Sequence, residues 1–483
     1  MRVATNARRT VLHLALIVAA IVVVYHEVYT IPFMYSEVAG IEHNSVVTDP
    51  GAFAERMLTP RGLLQRPISV LSYMVDYTMW DGAVAGFHRT NVVIHCLNTV
   101  LVYLLARDRF TAPPVAALVF GLHPLATACV SQIFGRNYSL ATTFFLLALW
   151  LYVRWRARMT LPRIAAVTAL VLAAILTKQT FVAAPLVLTW YEIASSGVPL
   201  RVALDRLGAS SWAVVGAAGA TFVGVTLLVR YAIPLSQTAT IPPMTFLLSQ
   251  IGNAPVVAEF YLLPYRTALI HDLFLYRDLG HVEVWLGAAL VVGLIAAAYR
   301  WRTRPAGWLL GALLLSLLPT NSVIPKNDLV REWRLYPALP FFALLVALGF
   351  ARIASSRASA WRRIVPAVAL GAYVLSFAWA DLRQNRAYQS PLLAWEQVLE
   401  RYPHSADAMN NIGMQFYKRR DYAPALEWFT RAADAAPDVS LYRHNIAETY
   451  AALGRRDDAD REALAARALQ ARYGARSMAL HYR

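Results

Sequence analysis

Long apolar runs alternate with short polar segments along most of the chain. Runs such as residues 11–25 and 285–299 approach the roughly 20 residues that a membrane-spanning helix needs. The pattern predicts an all-α protein with about eleven spans. The spans are placed near residues 10–30, 88–106, 112–127, 139–153, 162–177, 180–195, 212–230, 282–299, 306–319, 336–354 and 364–380.

One further apolar segment, residues 244–264, is interrupted by several polar side chains and a proline. If this segment spanned the membrane, the basic cluster at Arg300 would face outward, against the tendency of basic loops to stay in the cytoplasm. Irregular backbone is tolerated at membrane depth only where it is buried in protein. We therefore predict a re-entrant or interfacial segment here.

Composition agrees with lipid as the solvent, since 58% of the residues are hydrophobic and 15% are charged. The net charge of +16 lies in short basic clusters between apolar runs, for example around Arg154, Arg300 and Arg352. Such clusters retain loops on the cytoplasmic side, so the charge does not indicate nucleic-acid binding. The first span is read as an uncleaved anchor. Eleven spans from a cytoplasmic N-terminus leave the C-terminus outside.

The composition becomes that of a soluble helical protein near residue 381, which divides the chain into a membrane domain (1–380) and a C-terminal domain (381–483). Residues 406–437 and 440–471 carry small and aromatic residues at the spacing of tetratricopeptide repeats, after a degenerate half-repeat at 391–403. Such repeats bind a peptide or partner in a concave surface. An equally weighted alternative is that the repeats stabilise the membrane domain.

The predicted outer face holds most of the polar residues that are unexpected in a membrane protein. The first outer loop, residues 31–87, carries Glu37 just beyond the first span. A carboxylate held there can act as a general base toward a hydroxyl group or contribute to a divalent metal site. A solvated loop carboxylate is the plainer interpretation.

Five cations lie on the same predicted face, where arginine is disfavoured. A guanidinium fork or a lysine ammonium suits a phosphate, so together they indicate an anionic ligand such as a lipid phosphate. The alternative for each is pairing with an acid, such as Asp328 or Glu332, or with lipid headgroups. The five are Arg66, Arg136, Lys178, Arg331 and Arg334.

Three histidines lie in or beside predicted spans: His88, His95 and His123. Their spacings match no compact metal site, and we expect each to be buried and hydrogen-bonded. The two cysteines, Cys96 and Cys129, lie in or beside apolar helices. They predict no disulfide framework.

Segments over nearly the whole chain resemble a family of bacterial membrane proteins with C-terminal tetratricopeptide repeats. This family is related to the eukaryotic transmembrane-and-TPR O-mannosyltransferases of the GT-C fold. The resembling segments are 66–105 (beginning RPISVLSYMVDY), 120–152, 176–192, 317–341 and 410–429.

The resemblance implies a glycosyltransferase in the bacterial inner membrane that takes a sugar from a polyprenyl-phosphate carrier at the outer, periplasmic face. The acceptor is a hydroxyl group of a protein or glycan, which the repeats would recruit. Alignment makes Glu37 the base. The chemistry needs no cofactor, although a divalent metal is compatible with it. The candidates for holding the carrier phosphate are Arg66, Arg136, Lys178 and Arg334, and other motif positions are Ser36, His123, Arg331, Glu332 and Tyr336.

Three acids of the family pattern are neutral residues in this chain. Ser36 precedes Glu37 where the family has an acidic pair, Ala128 ends the motif that begins at His123, and Gln179 replaces the acid of a later turn. These departures favour a second hypothesis, an inactive membrane subunit that binds lipid phosphate and organises a partner complex through its repeats. A transporter is less favoured, because paired half-repeats with interrupted helices are not evident.

Overall fold

Every regular element is a helix in the part of the chain that the structure describes, and no β-strand occurs there. This confirms the predicted all-α class for these residues. The structure is a computed structural model, and it describes residues 2–34, 37–59, 62–198, 201–202, 216, 219, 241–263, 267–322, 325, 328–355 and 360–473.

The α-helices are numbered in chain order. They are α1 Arg2–Val24, α2 Ser45–Thr48, α3 Pro50–Met57, α4 Pro67–Trp80, α5 Val84–Arg109, α6 Pro113–Gly121, α7 Thr127–Val130, α8 Arg136–Trp155, α9 Leu161–Thr177, α10 Ala184–Ser195, α11 Pro243–Gly252, α12 Ala254–Leu262, α13 Val282–Arg300, α14 Pro305–Leu317, α15 Leu339–Ala354, α16 Ala360–Tyr388, α17 Pro391–Arg401, α18 Ala406–Lys418, α19 Tyr422–Ala435, α20 Ser440–Ala452 and α21 Arg456–Tyr473. Short 3₁₀ turns connect several of them, and one π-helical turn spans Val38–Glu42.

Five helical segments in the described ranges are long and apolar enough to cross a membrane. They are Ala7–Val24, Val84–Arg109, Val282–Arg300, Glu332–Ala354 and Ile364–Tyr388. A sixth candidate joins Pro113–Gly121 to Pro124–Val130 across a bend of 52°, at a proline that cannot continue the helical hydrogen bonding. Several such segments in one chain indicate a multi-pass membrane protein.

The predicted total of eleven spans and their orientation remain predictions. Two shorter apolar helices coincide with predicted spans: Leu161–Thr177, with 17 residues, and Pro305–Leu317, with 13 residues. The predicted span at 212–230 lies outside the described residues, apart from residues 216 and 219.

The centre of the membrane part is a packed core of α5, α6 and α8. At one end of this core the chain makes short buried turns between residues 122 and 135. Gly135 is required for this path, because a Cβ there would lie 2.2 Å from the carbonyl oxygen of Ala128. We call residues 127–135 the platform, since the first outer loop and α4 contact it.

The segment predicted to be re-entrant forms two short helices, α11 and α12, which break at Asn253. Two of its polar side chains donate hydrogen bonds to protein carbonyls. Gln250 donates to the carbonyl of Leu329 at 2.7 Å, and Asn253 donates to that of Phe274 at 2.9 Å. Burial against protein is what the prediction requires, whereas the path of the segment through the membrane stays a prediction.

The C-terminal region consists of antiparallel helix pairs, with α18 packed on α19 and α20 packed on α21. Ala425, Phe429 and Ala432 are buried between them, as the repeat spacing predicts. Their assignment as tetratricopeptide repeats stays a prediction. The predicted domain boundary at residue 381 lies inside α16, which runs without a break from Ala360 to Tyr388.

The close approach of α18 to α19 gives a first testable prediction. A Cβ on Gly413 would lie 2.8 Å from two ring carbons of Phe429, so the added methyl group of Gly413→Ala forces the ring to move. We expect this substitution to lower the free energy of unfolding by about 1–3 kcal/mol, measured by thermal unfolding of the purified chain. Gly371→Ala in α16, where the Cβ meets open space, is the matched control. Equal stability of the two variants would contradict the described packing.

Candidate functional site

Glu37 is buried and holds the first outer loop against the platform. It comes after residues 31–34, which form no regular element, and leads into the π-helical turn. One carboxylate oxygen, Oε2, accepts the backbone N–H of Met34 at 3.0 Å, and the other, Oε1, accepts that of Phe134 at 3.0 Å. Only 4% of the residue is exposed, so the interpretation as a solvated loop carboxylate does not describe it.

The surroundings of Glu37 give it the proton affinity of a base that works near neutral pH. Burial raises the pKa of Glu37 to about 7. The backbone N–H groups of Met34 and Phe134 and the charge of Arg136 act in the opposite direction and lower it. A carboxylate with a pKa near the ambient pH combines a sizeable deprotonated fraction with useful basicity.

Arg136 is fully buried at the start of α8 and forms an ion pair with Asp76 of α4 at 2.5 Å. It also donates to Asn91 Oδ1 at 2.6 Å and to the carbonyls of Phe87 and Ser72 at 2.7 and 3.2 Å. The guanidinium is therefore engaged by protein acceptors. Its predicted role in phosphate binding stays a prediction beside this structural role, and Asp76 was not among the sequence candidates.

Tyr73 of α4 lies beside Arg136 and is acted on by the charges of Glu37 and Arg66. Its hydroxyl donates to the carbonyl of Ile133 at 3.3 Å, and the Arg136 guanidinium lies 5.0 Å from its ring centre. Glu37 and Arg66 both interact electrostatically with the phenol. Burial is the main reason why the pKa of Tyr73 is raised, so the hydroxyl stays protonated and donates to the carbonyl of Ile133.

Three of the predicted cations gather around Tyr138. The Lys178 ammonium lies 4.6 Å from its ring centre, and the charges of Arg66 and Arg334 act on its hydroxyl. We call Arg66, Lys178 and Arg334 the cation cluster. These three residues are far apart in the sequence, and the fold brings them close to one tyrosine.

Local backbone structure explains how α4 and α9 present two of these cations. Arg66 precedes Pro67 at the start of α4 and has a φ of 60°, a left-handed conformation that costs a non-glycine residue about 1 kcal/mol or more. Lys178 follows α9 in an extended conformation. The hydroxyl of Ser69 donates to the carbonyl of Thr177 at 3.0 Å and so holds the two elements side by side.

Asp328 pairs with both arginines of the motif before α15. It accepts from Arg331 Nε at 2.6 Å and forms an ion pair with Arg334. These two cations hold the pKa of Asp328 at about 2, despite its partial burial. Pairing with Asp328 was the alternative that the sequence left open for these arginines. Arg334 also lines a small cavity together with Thr180 and Thr320.

Glu332 lies apart from Glu37, beside the first helices of the C-terminal region. Its Oε1 accepts from His271 Nε2 at 2.9 Å and from the backbone N–H of Ala268 at 2.7 Å, while Oε2 is buried without a hydrogen-bond partner among the described residues. His271 Nδ1 in turn contacts the Tyr402 hydroxyl at 3.0 Å. Burial lowers the pKa of His271. The sequence did not identify His271 as part of this arrangement.

The histidines behave as buried structural residues, and Tyr336 does so with them. His123 contacts the carbonyl of Tyr261 at 3.0 Å and His88 that of Ile31 at 3.0 Å. His95 contacts the Tyr336 hydroxyl at 2.8 Å. Ser36 lies outside the described residues.

Within the described ranges, no three His, Cys, Asp or Glu side chains gather closely enough to hold a metal ion. Glu37 has backbone N–H groups rather than other acids as its nearest partners. The residues described around Glu37 therefore do not fit a divalent metal site.

Fold and site together define a multi-pass helical membrane protein with a buried acid near Arg136 and a cation cluster around Tyr138. Protein O-mannosyl-transferase TMTC3 of Mus musculus is 23% identical over 465 residues, and its Homo sapiens counterpart is 23% identical over 450 residues. Each alignment covers 84% of this chain and 48% of the relative. The chain thus spans about half the length of these curated relatives.

A third relative matches a shorter part of the chain at a higher sequence identity. Protein O-mannosyl-transferase Tmtc2 of Drosophila melanogaster is 33% identical over 139 residues, which are 26% of this chain and 15% of that protein. No family model matches the chain. The similarity to these proteins agrees with the predicted relation to the eukaryotic transmembrane-and-TPR proteins.

Proposed function

We propose that this chain is a membrane glycosyltransferase that moves a sugar from a polyprenyl-phosphate carrier to a hydroxyl group of a protein or glycan. The observation that carries the proposal is that the charges of buried Glu37, which has a pKa of about 7, and of Arg66 from the cation cluster both act on the Tyr73 hydroxyl. A base and a phosphate-binding cluster are the two groups that such a transfer needs.

The proposed arrangement is a GT-C-like membrane domain over residues 1–380 with about eleven spans, followed by tetratricopeptide repeats over 381–483. The N-terminus is cytoplasmic, and Glu37, the cation cluster and the repeats face the periplasm of a bacterial inner membrane. The relatives are named protein O-mannosyl-transferases, which supports a sugar donor and a protein acceptor.

In the proposed reaction, Glu37 removes the proton of the acceptor hydroxyl as its oxygen attacks the anomeric carbon of the donor. The bond between that carbon and the phosphate oxygen breaks, and both electrons leave with the polyprenyl phosphate. Arg66, Lys178 and Arg334 stabilise the charge that develops on this leaving phosphate. The proton ends on Glu37, and the configuration at the anomeric carbon inverts.

A second candidate function is favoured by a different observation. Both carboxylate oxygens of Glu37 accept backbone N–H groups, and Arg136 is engaged by Asp76 and neighbouring carbonyls. These contacts equally suit a structural centre in a subunit that binds lipid phosphate and organises partners through its repeats. The direct test of the first function is transfer of radiolabelled sugar from a polyprenyl-phosphate donor in membranes that contain the chain.

Removing one cation of the cluster is expected to weaken donor binding. Arg66→Gln removes a charged partner worth about 1.5–3 kcal/mol, which corresponds to a roughly 10- to 150-fold rise in the KM for the donor, with a smaller change in kcat. Arg89→Gln, at an exposed arginine near the start of α5, is the control. An unchanged donor KM would remove Arg66 from the proposed site.

A further inference from the structure

We propose that Asn385, near the end of α16, is a positioning residue for Glu37, an assignment that rests on the proposed transferase function. Asn385 is fully buried. Its Oδ1 accepts the hydroxyl of Ser131 at 2.6 Å, and its Nδ2 donates to the carbonyl of Val24 at 3.3 Å. Ser131 belongs to the platform, and Val24 is the last residue of α1. One side chain therefore joins two segments that are far apart in the sequence.

The two segments that Asn385 joins also hold the carboxylate of Glu37. The platform provides the backbone N–H of Phe134, which donates to Oε1 at 3.0 Å. The segment after α1 provides the backbone N–H of Met34, which donates to Oε2 at 3.0 Å. Each oxygen thus has its donor on a different segment. The carboxylate keeps both hydrogen bonds only while the two segments keep their spacing.

Neighbouring residues of α16 reinforce the contact with the platform. Asp381 accepts the hydroxyl of Thr127 at 2.5 Å, and the Tyr388 hydroxyl accepts from Gln132 Nε2 at 2.9 Å. Asp381, Asn385 and Tyr388 are spaced four and three residues apart, which places them on one face of the helix. This face of α16 therefore holds the platform along its length.

Gln389 reinforces the contact with the other segment, at the 3₁₀ turn that follows α1. Its Nε2 donates to the carbonyl of Glu27 at 2.7 Å, and its Oε1 accepts the hydroxyl of Thr30 at 3.0 Å. This turn leads directly into the segment that donates to Oε2 of the base. The end of α16 thus fixes both segments, and the Asn385 amide contacts both at once.

The bridge between the two segments requires an amide side chain. The Val24 carbonyl is at the end of α1, where a helix leaves its last carbonyls without intrahelical partners, and it can only accept a hydrogen bond. This directs Nδ2 of Asn385 toward Val24 and leaves Oδ1 for the Ser131 hydroxyl. An ionised carboxylate has no hydrogen to donate to Val24, and an apolar side chain serves neither partner.

Loss of the bridge should change the proton affinity of Glu37. Its backbone N–H partners bind the charged carboxylate and therefore lower its pKa. If the two segments move apart, these hydrogen bonds weaken and the pKa rises. The rise of kcat/KM with pH should then move upward by about one pH unit, which lowers kcat/KM about fivefold at pH 7. Arg136 and Tyr73, which interact electrostatically with Glu37, are left in place.

The test measures kcat/KM for sugar transfer by Asn385→Leu and by the wild-type chain over a pH range from about 5 to 9. Ser131→Ala removes half of the bridge with little change in volume, so it should shift the profile in the same direction by less. It decides the question alone if Asn385→Leu does not fold. The donor KM should stay unchanged in both variants, because the cation cluster is untouched.

Asn253→Leu is the matched control. Asn253 is also a buried asparagine, and its Nδ2 donates to the carbonyls of Ser249 and Phe274 at 2.8 and 2.9 Å. Its replacement removes hydrogen bonds of the same kind from another part of the core. We expect this variant to lose stability and to keep the wild-type pH profile.

A second readout does not require activity. The difference in unfolding free energy between chains with and without Glu37→Gln follows the titration of Glu37. In the Asn385→Leu background, its change with pH should extend to higher pH than in the wild type. If a wild-type chain transfers no sugar but this shift occurs, the transferase proposal fails and the placement of Glu37 by Asn385 stands. If neither readout shifts while stability falls as in Asn253→Leu, Asn385 is only a structural residue and the inference is wrong.

Discussion

Glu37→Gln is expected to lower sugar transfer by about 10²- to 10⁴-fold, the usual contribution of a positioned general base. Glutamine keeps the size of the side chain but cannot take a proton from the acceptor. Because the cation cluster is untouched, binding of the lipid-linked donor should persist. The measurement is radiolabel transfer in membranes, together with donor binding to the purified variant. Glu42→Gln, at an exposed acid five residues along the same loop, should transfer as the wild type does.

The pH dependence provides a second readout for the same residue. Glu37 must be deprotonated to act as a base, so kcat/KM should rise with pH and level off above its folded pKa of about 7. Activity that is already maximal at pH 5 would show that another group is the base. A wild-type chain that binds lipid phosphate but transfers no sugar from any donor tried would favour the partner-organising subunit.

Stability tests the burial of Glu37 without any assay of activity. Its pKa is about 7 in the folded chain against an ordinary 4.5, so the folded state binds more protons between these values. The carboxyl therefore contributes stability at low pH that is lost as the pH rises from 4.5 through 7, by about 3 kcal/mol for this shift. The difference in unfolding free energy between wild type and Glu37→Gln should change with pH in this direction. A constant difference would mean that the carboxyl is solvated.

The sequence was sufficient for features that follow from a local pattern. Apolar periodicity predicts the helices, and the span assignments agree with segments such as Val84–Arg109 and Val282–Arg300. Small residues at repeat spacing predict the close approach of Gly413 to Phe429. In each case the signal is contained within a few helical turns, where residue spacing determines which side chains share a face.

Partners that are distant in sequence could not be predicted in the same way. Asp76 occupies an ordinary helical position, and only folding places it against Arg136, 60 residues later. His271 and Glu332 are likewise separated by 61 residues. A weak signal did exist for Asp76, because an acid between apolar neighbours in "YMVDY" is costly to bury without a cation. No spacing rule identifies which cation that is.

Asp76→Asn is expected to destabilise the chain by about 3–5 kcal/mol, the cost of breaking a buried ion pair from one side. Arg136 is fully buried and would keep its charge with only neutral acceptors around it. Thermal unfolding of the purified chain measures the loss. Asp81→Asn is the control, because Asp81 is exposed at the end of the same helix in a left-handed conformation that asparagine tolerates well.

A double variant of Asp76 and Arg136 separates the effect of an unpaired buried charge from the effect of altered packing. Asp76→Leu with Arg136→Met removes both charges, and replacement of a buried pair by apolar residues is often neutral or stabilising. We expect it to be more stable than Asp76→Asn. Since the Arg136 charge lowers the pKa of Glu37, its removal should also move the rise of kcat/KM to higher pH. An unshifted pH profile would confine Arg136 to a structural role, whereas a shifted one would make it a positioning residue for the base.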